Sequence, residues 1–293
     1  MQPPIVEDGA APATAVRELH YRFGSPALGH FPGHHRSPHG HSGVEFRAHV
    51  SLFDAPDARR LDLHASLRDP FGQWLVRVHR QRMSIPVAMV ADLSASMGFV
   101  GAQRKLDTLA DFVDSLAWSA WRTGDSFGFV GCDSVVRQDL LLPATRANGA
   151  GRVLARTLRS LRPEGRSARA LSDAHRHLTR QRSLVFLVSD FHLPLHEVDS
   201  VLASMAHHHL VPVVLWDPLE FEPTPSRGLA HVVDPESGRQ RWVWWRPALR
   251  TRWRAAQQAR REALLQIFRT HRLTPLFFEG GFDADAVTRH FHS

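Results

Sequence analysis

Asp92, Ser94 and Ser96 put three side-chain oxygens on one short segment, Asp92-Leu-Ser-Ala-Ser96-Met-Gly98, directly after the apolar run Ile85-Pro-Val-Ala-Met-Val-Ala91. Hard oxygens on a tight turn suit Mg²⁺ or Mn²⁺, which takes octahedral oxygen at about 2.1 Å and keeps some of its waters. Two of the three donors are neutral hydroxyls, so an ion held there stays electron-poor and can take one more carboxylate from outside. The competing reading is an Asp/Ser N-cap of the following helix. A cap uses one oxygen, whereas three stand here at alternate positions. Two more apolar runs end in aspartate: Leu184-Val-Phe-Leu-Val188 leads to Ser189-Asp190, and Leu210-Val-Pro-Val-Val-Leu-Trp216 leads to Asp217.

These aspartates need elements that bring them together. A continuous apolar run predicts a strand covered on both faces, as in a parallel sheet. Leu106, Leu109, Val113, Leu116 and Ala120 repeat at helical spacing and predict an amphipathic helix over about 103–122. Phe127-Gly-Phe-Val-Gly131 predicts a strand, paired as a hairpin with Val135–Leu141. Helices are expected at 149–161, 168–179 and 195–207. The resulting β-α-β-β-α-α-β-α-β order predicts a doubly wound α/β domain over 81–217. Such folds bind ligands at the carboxyl ends of their strands, near the switch point. Residues 1–80 are expected to form an irregular, β-rich extension with a flexible lead over 1–40. Residues 218–293 are expected to hold a hairpin, a long arginine-rich helix, one strand and a short last helix packed on the central domain.

Asp92-x-Ser94-x-Ser96 after an apolar strand resembles the metal-ion-dependent adhesion site of von Willebrand factor A domains. The resemblance implies two further ligands, a threonine from a second loop and an aspartate from a third. Asp190 matches the third-loop position. Ser167, in Gly165-Arg-Ser167, stands where threonine is expected and keeps the hydroxyl. The implied site is therefore Asp92, Ser94, Ser96, Ser167 and Asp190 around Mg²⁺ or Mn²⁺.

The flanking sequence is similar to the DUF58 family. Gly43-Val-Glu-Phe46, Asp57-Ala-Arg-Arg-Leu-Asp62, Arg68 and Val76-Arg-Val78 resemble that family's region upstream of its A domain. Trp216-Asp-Pro-Leu-Glu220 and Val233-Asp-Pro-Glu-Ser-Gly238 resemble its strand end and following hairpin. The upstream part is diverged, with Ala-Pro-Asp57 for Gly-Asp-Asp and Leu63-His64 where tryptophan is usual. The matches run from about residue 40 to 245 and resemble the short form without membrane helices. The resemblance implies an adaptor that works with a MoxR-type AAA+ ATPase in maturing an enzyme or complex. It also implies that the adaptor grips an acidic residue of a client through its metal.

Other residues invite weaker chemistry. His30, His34, His35, His39 and His41 can ligate a transition metal, but they lie among Pro and Gly with no fixed spacing, and a mobile loop is the simpler expectation. His207-His-His209 is expected at a helix end, where imidazolium suits the dipole. His175 and His177, two apart on a helix, do not share a ligand position. Trp242 and Trp244 alternate with arginine in Arg239-Gln-Arg-Trp-Val-Trp-Trp-Arg246. Such a pattern can stack on single-stranded nucleic acid, yet a hairpin packing both rings on one side is the expectation taken here. The helix near 248–271 is expected to bury Leu249, Trp253, Ala256, Leu264 and Ile267. Arg250, Arg254 and Arg261 then share another face, either solvated or turned to an acidic protein partner.

Hydrolytic motifs are absent: there is no G-x-S-x-G, H-E-x-x-H or Walker sequence. Asp92-x-Ser94 also lacks the second carboxylate of aspartyl-phosphate phosphatases. A non-enzymatic interaction module is therefore expected, ahead of a nucleic-acid binder or a metal-dependent phosphohydrolase.

The 293 residues include 43% apolar and 22% charged ones, which excludes disordered, collagen-like and coiled-coil classes. One cysteine, Cys132, excludes an internal disulfide framework. No apolar leader and no run of about 18 apolar residues occurs, so a cytoplasmic location is expected. The net charge is +7, and Lys105 is the only lysine. Residues 239–272 carry ten arginines against one acid, while the rest holds 26 basic and 28 acidic residues. The charge is a local patch, not a property of the whole chain.

Overall fold

Strands that are apolar on both faces must be covered on both faces, and the centre of the molecule is built that way. The computed structural model describes residues 16–22, 32–36, 45–80, 82–221, 228–233 and 238–292. The N-terminal extension holds strands β1 (Pro32–Arg36), β2 (Glu45–Ser51), β3 (Leu75–Arg80) and β4 (Arg82–Met83), with helix α1 (Leu63–Arg68). β1 pairs antiparallel with β4, and β2 with β3. Of the histidine-rich segment, only the backbone of β1 is described; His30, His39 and His41 lie outside the described residues.

The central sheet contains β5 (Pro86–Asp92), β6 (Ser126–Cys132), β7 (Val136–Thr145), β8 (Leu184–Ser189) and β9 (His209–Trp216). Helices α2 (Lys105–Arg122), α3 (Ala150–Ser160), α4 (Leu195–Ser204) and α5 (Pro218–Phe221) connect or follow them. The C-terminal part adds the hairpin β10 (Gly228–Val233) and β11 (Gln240–Trp245), α6 (Pro247–Thr270), β12 (Leu276–Glu279) and α7 (Ala284–His290). The sheet order is β12-β9-β8-β5-β6-β7, parallel except for the antiparallel β6–β7 pair. This is the doubly wound, mostly parallel α/β architecture that the sequence predicts.

Alternation along each strand divides the core. Val87, Met89 and Ala91 join the cluster beneath α2, α3 and α7, while Ala88 and Val90 face the cluster beneath α4 and α6. Leu19 and Tyr21, inside the stretch expected to be flexible, are buried against α2. Ser119 Oγ accepts from the Leu19 N–H at 2.8 Å, and Tyr21 donates its hydroxyl to Asp125 at 2.7 Å.

Three local expectations change. The segment expected as a helix at 168–179 is a 3₁₀ stretch, Arg169–His177. Polar residues and three basic ones in its last turn leave few apolar side chains to hold a full α-helix on the sheet. The His207–His209 run does not end a helix: α4 stops at Ser204, and His209 opens β9. His208 is nearly buried and accepts the Ser183 N–H at its Nδ1, so burial pushes its pKa down to about 4. The third change concerns α6. Only Leu264 and Phe268 are buried, and Ala256 is exposed. Its apolar stripe continues into a half that the central sheet does not cover.

Candidate metal centre

Sheet topology brings the first two aspartates together. β5 and β8 are adjacent parallel strands, and the chain leaves β5 toward β6 on one side and reaches β8 on the other. The crevice at that switch point receives Asp92 from the end of β5 and Asp190 from just beyond β8. Both are about 1% exposed.

Asp92 is held at both oxygens. Oδ1 accepts the Ser94 N–H at 2.9 Å, and Oδ2 accepts the Ser189 hydroxyl at 2.7 Å. Ser189 was not singled out by sequence, although it directly precedes Asp190. The Ser94 and Ser96 hydroxyl oxygens lie 3.2 Å apart, both buried. Neighbouring positions of an octahedron with bonds of about 2.1 Å are separated by about 3 Å, so the pair fits two adjacent ligand positions. Neither serine caps the following 3₁₀ turn, Ala95–Gly98, through a side-chain hydrogen bond. The hydroxyls turn instead to each other and to the carboxylates, Ser94 to Asp92 and Ser96 to Asp190.

The second loop is pinned to the first by backbone. Ala95 N–H donates to Gly165 O at 2.8 Å, and Ser94 and Gly165 form a parallel bridge. Gly165 is required there, because a Cβ would lie 2.4 Å from Asp133 Cβ. Ser167 follows two residues later, half-buried, and its side chain makes no hydrogen bond among the described residues. The third loop is strained: Phe191, directly after Asp190, has φ +52°. A left-handed non-glycine residue costs about 1–2 kcal/mol. Burial of Phe191 edge-on against Phe268, with ring centroids 5.3 Å apart, holds it.

The feature that sequence reasoning missed is Lys105. Its ammonium, 3% exposed, lies 2.8 Å from Asp190 Oδ2 and 2.8 Å from Glu220 Oε1. Glu220 Oε1 also meets His192 Nε2 at 3.1 Å, and His192 stacks on Trp216. Glu220 Oε2 is buried without a hydrogen-bond partner among the described residues. The signal was available, since this is the chain's single lysine among arginines. Its partners lie 85 and 115 residues away. Asp190, His192 and Glu220 have ligand atoms close enough to share an ion, but the ammonium already sits between two of them.

Electrostatics separate the two aspartates. Burial, then the charge of Asp190, raises the Asp92 pKa to about 6 against its hydrogen bonds. Burial also opposes ionisation of Asp190, yet Lys105 and His192 outweigh it and lower its pKa. Burial opposes the charge on His192, but Asp190 and Glu220 raise its pKa. Asp92 is therefore the carboxylate without a matching cation. A divalent ion beside it, with Ser94 and Ser96, relieves that imbalance, so the donor set fits Mg²⁺ or Mn²⁺.

Asp217, the third strand-end aspartate, is not part of this group. It accepts the Ala102 N–H at 2.7 Å and the Leu219 N–H at 2.8 Å. A Cβ on Gly101 would lie 2.2 Å from its carboxyl carbon. Asp217 thus ties down the loop that delivers Lys105. Cys132, at the end of β6, is buried, and burial first, then Asp92, pushes its thiol pKa up to about 12.

The arginines expected to share a face behave differently. Arg261 bonds Glu279 at 2.8 Å and lies 4.5 Å over the Phe277 ring, so it belongs to the body of the domain. Arg250 is half-buried and Arg254 exposed, both in the uncovered half of α6. Arg260, not noticed in the sequence, donates to the carbonyls of Phe191 and Leu193 in the third loop. Trp242 and Trp244 do share a face, as their register with His231 and Leu229 requires. They do not pack inward: they are 69% and 59% exposed, and Trp245 on the opposite face is buried instead. β10 and β11 pair only with each other among the described residues. No helix of the described residues is long and apolar enough to cross a membrane.

Comparison with known proteins concerns the chain as a whole. The model of the family described as "Protein of unknown function DUF58" matches residues 54–263. A relative described as "Uncharacterized protein in moxR 3'region", from Paracoccus denitrificans, is 39% identical over 104 residues, covering 34% of this chain and 94% of the relative. The crystal structure of conserved hypothetical protein BatB from Bacteroides thetaiotaomicron superposes with a TM-score of 0.42 at 13% identity, over 71% of this chain and 96% of that one. The SpRpn10 VWA domain gives 0.39 at 10% identity, over 71% and 95%.

Proposed function

The chain belongs to the DUF58 family, and from that premise we propose that it is a metal-dependent protein-interaction module. In this reading it works with a MoxR-type AAA+ ATPase in the maturation of an enzyme or complex. The link to the ATPase is supported by the name of the Paracoccus relative, which refers to the moxR region.

The observation that carries the metal reading is the meeting of Asp92, Ser94 and Ser96 with Asp190 at the carboxyl ends of β5 and β8. Mg²⁺ or Mn²⁺ supplies a Lewis-acidic position for a carboxylate of an acidic client. Asp92, Ser94 and Ser96 hold the ion, with Ser167 and Asp190 contributing directly or through water. Ser189 fixes the Asp92 carboxylate, and Lys105 fixes that of Asp190. The reading is non-catalytic: His192, at the rim, bonds Glu220 instead of activating a serine.

The test is calorimetric titration of Mg²⁺ and Mn²⁺ into the wild-type protein and Asp92→Ala, followed by capture of the cognate ATPase and client with and without the ion. Metal affinity and capture that both fall in the variant are expected. Unchanged metal affinity and capture would overturn the reading.

A further inference from the structure

We infer that β10, β11 and the first half of α6 form an arm beside the metal loops, and that arm and loops together dock one acidic polypeptide. The metal half of this surface rests on the function proposed above.

Helix direction puts the arm on the right side of the sheet. β12 follows α6 and pairs parallel with β9. The preceding helix must therefore run from the carboxyl end of the sheet back to its amino end. Leu264 and Phe268 seat its second half in the core. Arg260 bonds the carbonyls of Phe191 and Leu193, just past Asp190, and so marks the level of the metal loops. Residues Pro247–Ala259 lie beyond that level. At 1.5 Å per residue they extend about 20 Å past it. The hairpin is attached at the far end, where Trp245 packs edge-on against Trp253 at 5.9 Å.

The arm's surface says what it meets. From Arg239 to Arg254 there are six arginines and no acid. Trp242, Trp244 and Leu229 form one exposed face, and the helix positions from Thr251 to Ala256 are exposed. Tryptophan and arginine dominate the energetics of protein–protein contacts. Exposed Ala255 and Ala256 allow close approach of another chain. A carboxylate at the ion and further acids along the arm match this charge. About six extended residues, at about 3.3 Å each, span the distance.

The experiment follows fluorescence anisotropy of a labelled, Glu- and Leu-rich peptide, with and without Mg²⁺ and against unlabelled oligo-dT. The proteins are the wild type, the double variant Arg250→Glu/Arg254→Glu, and Trp242→Ala/Trp244→Ala, whose exposed positions leave the core intact. Both double variants are expected to bind Mg²⁺ as the wild type does, yet lose peptide affinity about tenfold or more. Withdrawal of Mg²⁺ is expected to weaken wild-type binding by a similar factor. Mg²⁺-dependent binding that is indifferent to both arm variants overturns the inference alone. Arm-dependent binding that is indifferent to Mg²⁺ overturns the metal reading and, with it, the two-point surface. No peptide binding at low salt, or oligo-dT outcompeting the peptide, also overturns the inference.

Discussion

Replacing Lys105 by methionine removes the cation shared by Asp190 and Glu220 while keeping most of the side-chain volume. The ammonium is 3% exposed, its partners 1% and 15%, and each contact is 2.8 Å. Water cannot screen such a pair as it screens a surface ion pair, and the variant strands the buried carboxylate of Asp190 and leaves the half-buried one of Glu220 with His192 alone. Breaking a buried pair from one side costs about 3–5 kcal/mol. For a domain of this size that lowers the melting temperature by about 6–15 °C. A divalent ion beside Asp92 and Asp190 restores part of the lost positive charge. Mg²⁺ is therefore expected to raise the melting temperature of Lys105→Met by more than that of the wild type. Thermal and urea denaturation, each with Mg²⁺ and with a chelator, measure both effects. A loss below about 1 kcal/mol, the value of an exposed pair, would refute the reasoning. So would a loss that Mg²⁺ leaves untouched.

Three further outcomes follow from the same geometry. The Asp92 pKa is raised to about 6, so this group's contribution to stability is fully present below its unfolded value and is lost as pH rises through about 6. Metal-free protein should gain up to about 3 kcal/mol from this group between about pH 7 and pH 4; Asp92→Asn or saturating Mg²⁺ should abolish that gain in melting profiles. Gly165→Ala forces a Cβ to within 2.4 Å of Asp133 Cβ and should cost about 1–3 kcal/mol, with weaker Mg²⁺ binding by calorimetry because the loop carrying Ser167 shifts. Trp245→Ala should cost about 3–5 kcal/mol of local stability, read as hydrogen exchange over 228–259, whereas Trp242→Ala should stay within about 0.5 kcal/mol.

How much was legible in the sequence depended on the range of each interaction. β5, β8 and β9 were legible because a run of apolar residues bounded by aspartate has few other uses. The pairing of Asp92 with Ser94 and Ser96 was legible because turn geometry is local. Lys105 was not, because its role is set by two carboxylates that only the sheet order brings near. The exposure of Trp242 and Trp244 was equally hidden: alternation assigns two residues to one face but does not say whether anything covers it. The stripe on α6 misled for the same reason. Leu264 and Phe268 meet the sheet, and the same pattern continues past its edge as far as Trp253 and Ala256.

Cys132 gives this molecule a built-in timer. It is the sole thiol, fully covered, and its carbonyl receives the Leu93 N–H at 2.7 Å, one residue beyond Asp92. A maleimide or disulfide reagent can reach it only after the side chains clustered with it, among them Ala168 and Leu171, move aside. The rate of single-site labelling therefore counts openings of the face beside Asp92, the register partner of Cys132, free of background from other cysteines. Slower labelling with Mg²⁺ would time how long a bound ion keeps that face shut.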